Sequence, residues 1–184
     1  PYWPAIPGRE RYQGEAHHTG LWPKSPVNFA GKKVAVIGSG ASAVQLIPEV
    51  AKEAGELVVF QRTPNWNSPL NNGKITPEET AEIKANLDEI YRSCMNSFAG
   101  FVHSASRKRT FDDSKEERWA LYEKLYHQQG FAKLISNYRD MMTNREANAE
   151  FSEFIAEKIR SRVNDPAVAE KLIPKDHGFG MRRP

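Results

Sequence analysis

An uninterrupted apolar run, Val34-Ala-Val-Ile37, leads directly into Gly38-Ser39-Gly40-Ala41-Ser42-Ala43, and this junction restricts the fold more tightly than any other part of the 184-residue chain. A short run rich in β-branched residues predicts a strand buried on both faces, as in parallel sheets. Glycines at 38 and 40 let the backbone turn sharply and approach a ligand with no Cβ in the way. From Ala41 to Ala54, the residues Val44, Ile47, Val50 and Ala51 recur at helical spacing, so a helix begins where the turn ends. Pro48 sits inside it and costs a bend or a backbone hydrogen bond. Gly55 closes the helix, and Leu57-Val-Val-Phe60 supplies a second buried strand. The expected fold class is α/β: a partial Rossmann-type βαβ dinucleotide-binding domain, with only two convincing strands.

The chemistry of the turn follows from that geometry. Free N–H groups and the positive dipole end of the helix face a pyrophosphate. Ser39 and Ser42 add hydroxyls, and Ala41 lies at the helix start. Ala43 stands where the fingerprint's third glycine would be, a position that needs only a small side chain for close helix–strand packing. Gln45, one turn further on, completes the group assigned to the cofactor. At the end of the second strand an NAD-binding chain carries a carboxylate for the ribose 2′-hydroxyl, whereas here the sequence reads Gln61-Arg62-Thr63. Arg62 can grip a 2′-phosphate through paired charge-assisted hydrogen bonds, and Thr63 can donate another. The expected cofactor is NADP(H).

Four stretches organise the chain. Residues 1–30, with Pro4, Pro7, Gly8, Gly14 and Gly20, read as a loop-rich linker. Residues 31–66 hold the βαβ core, 67–170 a helical insertion, and 171–184 a return segment. The insertion opens at Thr76-Pro77-Glu78-Glu79, an N-cap with proline at the first helical position and a glutamate to close a capping box. Ile83, Leu87, Ile90, Tyr91 and Cys94 continue that helix. A second helix spans about 113–126, further ones carry Phe131–Met142 and Phe151–Ile159, and Asp165-Pro166 caps a short last one. A hydrophobic content of 39% with 27% charged residues is that of a globular protein. No apolar run could span a bilayer. The lone Cys94 excludes an intrachain disulfide and a cysteine zinc site, and no metal site is expected. The balance of +3 and the single basic cluster Arg107-Lys-Arg109 point to a solvated loop, not to a nucleic-acid partner. A reducing, cytoplasmic setting fits.

Upstream lies Tyr12-Gln-Gly14-Glu-Ala-His-His18-Thr-Gly-Leu-Trp22-Pro23. Spacing alone assigns it no chemistry; a single histidine such as His18 is a base, a ligand or a hydrogen-bonding strut, the strut being commonest. The pattern aromatic-x-Gly-x-x-x-His-x-x-x-Trp-Pro just before a dinucleotide turn resembles the Baeyer–Villiger flavin monooxygenases, with Tyr12 where that family usually has Phe. The resemblance implies an enzyme using FAD, NADPH and O2 to convert ketones to esters or lactones. It implies that residues 12–23 lie in the linker that couples the FAD and NADP domains. It also gives meaning to Met181-Arg182-Arg183: Arg183 matches the arginine that stabilises the flavin peroxide and contacts the nicotinamide, and Arg182 replaces a lysine that helps bind the 2′-phosphate. The resemblance further implies that the chain is the middle of a longer enzyme, whose FAD-binding loop precedes Pro1, so that the remainder is its partner and the piece is inactive alone. Two alternatives stand beside it: an N- or S-oxidising NADPH-dependent flavin monooxygenase, against which Trp22-Pro23 argues, and a non-catalytic NADP-binding module.

Overall fold

The computed structural model describes residues 2–181, which form two compact units divided between Thr63 and Pro64. In the first unit β1 (Lys33–Ile37), α1 (Ala41–Val50) and β2 (Glu56–Phe60) follow in order, and the strands pair in parallel from Lys33 opposite Glu56 to Ile37 opposite Phe60. A cross-strand ion pair, Lys33 Nζ to Glu56 at 3.0 Å, lies at the start of the register. Just before it the backbone closes tightly. Gly55 N donates to Lys32 O at 3.0 Å, and a Cβ on Gly55 would stand 2.7 Å from Gly31 O. Glycine at 55 is thus required by close approach.

Two expectations for this unit are corrected. The helix stops at Val50, not at Ala54, because Lys52 N and Glu53 N reach back only three residues, to Glu49 O and Val50 O, and this tighter turn brings Ala54 onto Ala30. Its buried face is Ala43, Leu46, Ile47 and Val50, whereas Val44 and Ala51 point to solvent. The strands are not buried on both faces either. Val34 and Val36 turn inward, but Ile37 is 74% exposed and Val58, Val59 and Phe60 are open. An apolar run records that a face can be covered; a single helix within the unit covers only one side.

The second unit is helical: α2 (Pro77–Ala85), α3 (Leu87–Met95), α4 (Lys115–His127), α5 (Ala132–Ile135), α6 (Arg145–Arg162) and α7 (Pro166–Leu172). Its core gathers Tyr122 and Tyr126 of α4, Phe151, Phe154 and Ile155 of α6, and Tyr138, Met141 and Phe179 from the connections. Arg118 locks α4 to α6 through a paired contact with Glu150, at 2.5 and 2.9 Å, and holds the entering chain by donating to Asp113 O. Caps fall where the sequence puts them. Thr76 and Glu79 form a reciprocal capping box, and Asp165 caps α7 with Pro166 at its first turn. The helix expected through Cys94 instead breaks at Asn86, whose amide donates to Glu82 O and competes with the backbone. The helix expected from Phe131 to Met142 shrinks to α5 for a similar reason. The Asn137 side chain takes Lys133 O and accepts from Tyr138 N, substituting for the next helical turn.

Candidate functional site

The turn after β1 leaves open space in front of α1. Gly38 has φ of +104°, a left-handed value that other residues adopt with strain. Gly40 is the N-cap of α1 with extended backbone and brings no side-chain cap, and a Cβ at either glycine meets no protein atom within 4 Å. The first-turn N–H groups of α1 are therefore not shielded by a capping side chain, and the helix dipole adds to their pull on an anion. Ala43 is buried, which lets α1 lie close on the strands, while Ala41 and Ser42 are exposed. Gln45 folds back to donate to Ala41 O at 2.9 Å.

Two hydrogen bonds fasten this turn to the end of β2. Gly38 N donates to Phe60 O at 2.8 Å, and Ser39 Oγ donates to Thr63 O at 3.3 Å. The structure thereby brings Gly38, Ser39, Arg62 and Thr63 to one end of the sheet. Arg62 is exposed there. Thr63 Oγ1 is buried and finds no hydrogen-bond partner among the described residues. A hydroxyl left this way is costly, of order 1–3 kcal/mol, until something accepts from it or donates to it.

Residues 12–23 are organised by their own contacts. The exposed Tyr12 ring lies over Gly14, so closely that a Cβ there would displace the phenol. His18 is half-buried and caps a 3-10 turn, Thr19–Leu21, by accepting at Nδ1 from Gly20 N at 3.0 Å. That is the strut. Trp3 packs edge-on against it, while His17 turns instead to Trp22, which reaches Phe29. Pro23 is half-buried behind Trp22 in sequence. Glu15 ties the stretch to Lys32 at 2.9 Å, at the end of β1 opposite the glycine turn, and Lys32 holds its carboxyl below the usual range. The fingerprint and the turn therefore serve different ends of the strand.

Arg182 and Arg183 lie outside the described residues. Before them, His177 O accepts from Trp66 Nε1 at 2.8 Å, and Phe179 is buried against Phe151. Asn148 and Ser152, on α6, grip the Phe179 backbone. Sequence reasoning did not single out Asn148, Ser152 or Trp66. The available signal was two polar residues four apart on the apolar face of Phe151 and Ile155. Among the described residues no group of His, Cys, Asp and Glu is arranged to hold a metal, and no helix is long and apolar enough to cross a membrane.

Residues 2–74 match the family described as flavin-binding monooxygenase-like. The chain is 42% identical over 186 aligned residues to 2-oxo-Δ3-4,5,5-trimethylcyclopentenylacetyl-CoA monooxygenase of Pseudomonas putida, covering 98% of this chain and 34% of that protein. It is 38% identical to cyclopentanone 1,2-monooxygenase of a Comamonas species, covering all of this chain and again 34% of the other. The chain is a relative of the Baeyer–Villiger monooxygenases. A crystal structure of OTEMO in complex with FAD and NADP superposes with a TM-score of 0.94 at 42% identity, over 97% of this chain and 34% of that one. The chain thus spans about a third of the length of the curated relatives it matches. The family's kin include nitrogen chemistry as well: phenazine N-monooxygenase of Lysobacter antibioticus is 36% identical over 94% of this chain and 32% of its own length.

Proposed function

We propose that residues 31–66 bind NADP(H) as part of a Rossmann-type domain within an FAD-containing, NADPH- and O2-dependent Baeyer–Villiger monooxygenase that converts ketones to esters or lactones. Residues 1–30 act as its interdomain linker, 67–170 as a helical insertion and 171–184 as the return toward the active site. The observation that carries the reading is the joint between the glycine turn and the end of β2, made by Gly38 N on Phe60 O and Ser39 Oγ on Thr63 O. The residues fit the nucleotide. The turn has a left-handed glycine and no Cβ in front of the helix, and the buried Thr63 hydroxyl wants a partner beside an exposed guanidinium. The α1 amides and Ser42 take the pyrophosphate, and Arg62 and Thr63 take the 2′-phosphate. Arg182 adds a second cation, and Arg183 supplies the fixed positive charge beside the nicotinamide. Flavin, when bound, supplies hydride acceptance and oxygen transfer to the carbonyl; this chain orients the nucleotide that reduces it.

Titration of the chain with NADP and NAD tests the assignment. NADP binds more tightly, and Arg62→Ala removes most of the difference, about 1.5–3 kcal/mol for a charge-assisted hydrogen-bond pair. Equal affinity of the parent chain for both nucleotides refutes it, whereas a module without catalysis keeps the preference but turns over no substrate in the complete, flavin-loaded protein. The match to phenazine N-monooxygenase supports a second reading, oxidation at nitrogen. Turnover of an aromatic nitrogen heterocycle but of no ketone by the flavin-loaded protein selects it.

A further inference from the structure

We propose that the exposed apolar row of α3 is the seat of a second copy of this chain, which lies against it antiparallel to form a symmetric dimer. No residue of α2 or α3 is buried. Helices of nine residues do not hold themselves in water; packing of an apolar face supplies most of the stability of such short elements. α3 has that face. Leu87, Ile90, Tyr91 and Cys94 recur at spacings of three and four, and Phe98 continues the row just past the helix end at Met95. α2 has Ile83 as its one large apolar residue and leaves the row open. Leu87 is 51% exposed, Tyr91 69%, Met95 76%, and Phe98 fully so. These four side chains present roughly 600 Å2, at the upper end of what a monomer leaves open and most of the ~800 Å2 that each partner gives a standard interface. The charges beside the row select the occupant. Asp88 and Arg92 stand one turn apart on the same flank, and no ion pair among the described residues uses either. A two-fold axis across an antiparallel helix pair sets like flanks together and reverses their order. Centred between Ile90 and Tyr91, it puts Leu87 beside the second copy's Cys94, Ile90 beside the second copy's Tyr91, and Asp88 beside the second copy's Arg92. The opposite charges then pair twice in one dimer, and the apolar row meets itself. An isologous contact requires this self-complementarity, because each surface serves as its own partner.

Sedimentation velocity of the 184-residue chain, run from about 1 to about 100 μM, tests the proposal. The parent passes from monomer to dimer in that range. Tyr91→Lys combined with Phe98→Glu stays monomeric and keeps the cooperative urea transition of the α4–α6 core, since both positions are exposed. Arg92→Asp raises the dissociation constant about tenfold or more, because two attractive pairs become two repulsive ones, and Asp88→Arg does the same. Joining the two reversals in one chain brings the constant back to within about threefold of the parent. Lys124→Asp, a charge reversal on the exposed surface of α4, leaves it unchanged. A parent chain that is monomeric throughout overturns the proposal and leaves the row to some other partner. A dimer that survives Tyr91→Lys with Phe98→Glu overturns it too, because another face then carries the contact. Failure of the double reversal to restore pairing overturns the antiparallel arrangement and the choice of a second copy that rests on it.

Discussion

Replacing Tyr122 by phenylalanine makes the protein more stable. Tyr122 is wholly buried, with its ring packed edge-on at 4.9 Å from Phe151 and tilted at 5.5 Å from Phe154, yet its hydroxyl has no hydrogen-bond partner among the described residues. An unpaired buried hydroxyl costs about 1–3 kcal/mol relative to water. Deleting the oxygen leaves a void of about 10 Å3, which at ~24 cal/mol per Å3 returns only about 0.2 kcal/mol of that gain. The ring contacts survive. Net stabilisation of about 1–2 kcal/mol raises the melting temperature by roughly 2–8 °C for a chain of this size. The alkaline limb supplies a second test. Burial, and next the charge of Glu150, push the Tyr122 phenol well above its ordinary value of 10.0, with Arg118 opposing and Asp140 adding. A raised folded pKa gives stability that is complete below about pH 10 and is lost as pH rises, because the unfolded chain ionises first. The phenylalanine variant has no phenol to ionise and loses nothing there, so the advantage of Tyr122→Phe widens above about pH 10. Urea denaturation from about pH 7 to about pH 11, spanning the ordinary tyrosine range, measures both effects. A variant less stable than the parent at neutral pH, or a gap that stays flat across the alkaline limb, refutes the account of that hydroxyl.

Two glycines should answer the same substitution in opposite ways. Gly14→Ala displaces only the 65%-exposed Tyr12 ring and changes stability by less than about 0.5 kcal/mol, whereas Gly178→Ala drives a methyl into buried Asn148 and costs about 3 kcal/mol or more, both read by urea midpoint. At the acid end, Lys175 first and Arg160 next hold the exposed Glu170 carboxyl down at about 2, against an ordinary 4.5. The depressed value contributes stability present above pH 4.5 and lost as pH falls through about 2, so Glu170→Gln differs from the parent near neutral pH and converges on it by about pH 2 in thermal melts.

How much of this was legible beforehand depended on whether the signal was local. The glycine turn, the capping box at Thr76 and the cap at Asp165 each come from residues within one or two turns of each other, and each stands where the sequence puts it. Helix length failed where an asparagine side chain outbid the backbone, at Asn86 and Asn137, since apolar spacing carries no record of that competition. Strand coverage failed because composition shows what a face can bury, not what lies on it. At the site, Gly38 and Arg62 could be paired from strand logic, but the Asn148–Phe179 grip joins residues 31 apart, and no periodicity reports such a contact.

The close approach of Gly55 to Gly31 has a mechanical consequence. Parallel strands transmit register along their length, so a slip of one residue moves the far end by about 3.3 Å and turns each side chain to the opposite face. The tight closure at Gly31 and Gly55 is the datum from which that register is measured, and Arg62 stands in the bend two residues beyond the end of β2 at Phe60. A methyl added at Gly55 therefore acts at the far end of the sheet from Arg62, yet it disturbs the strand that leads there.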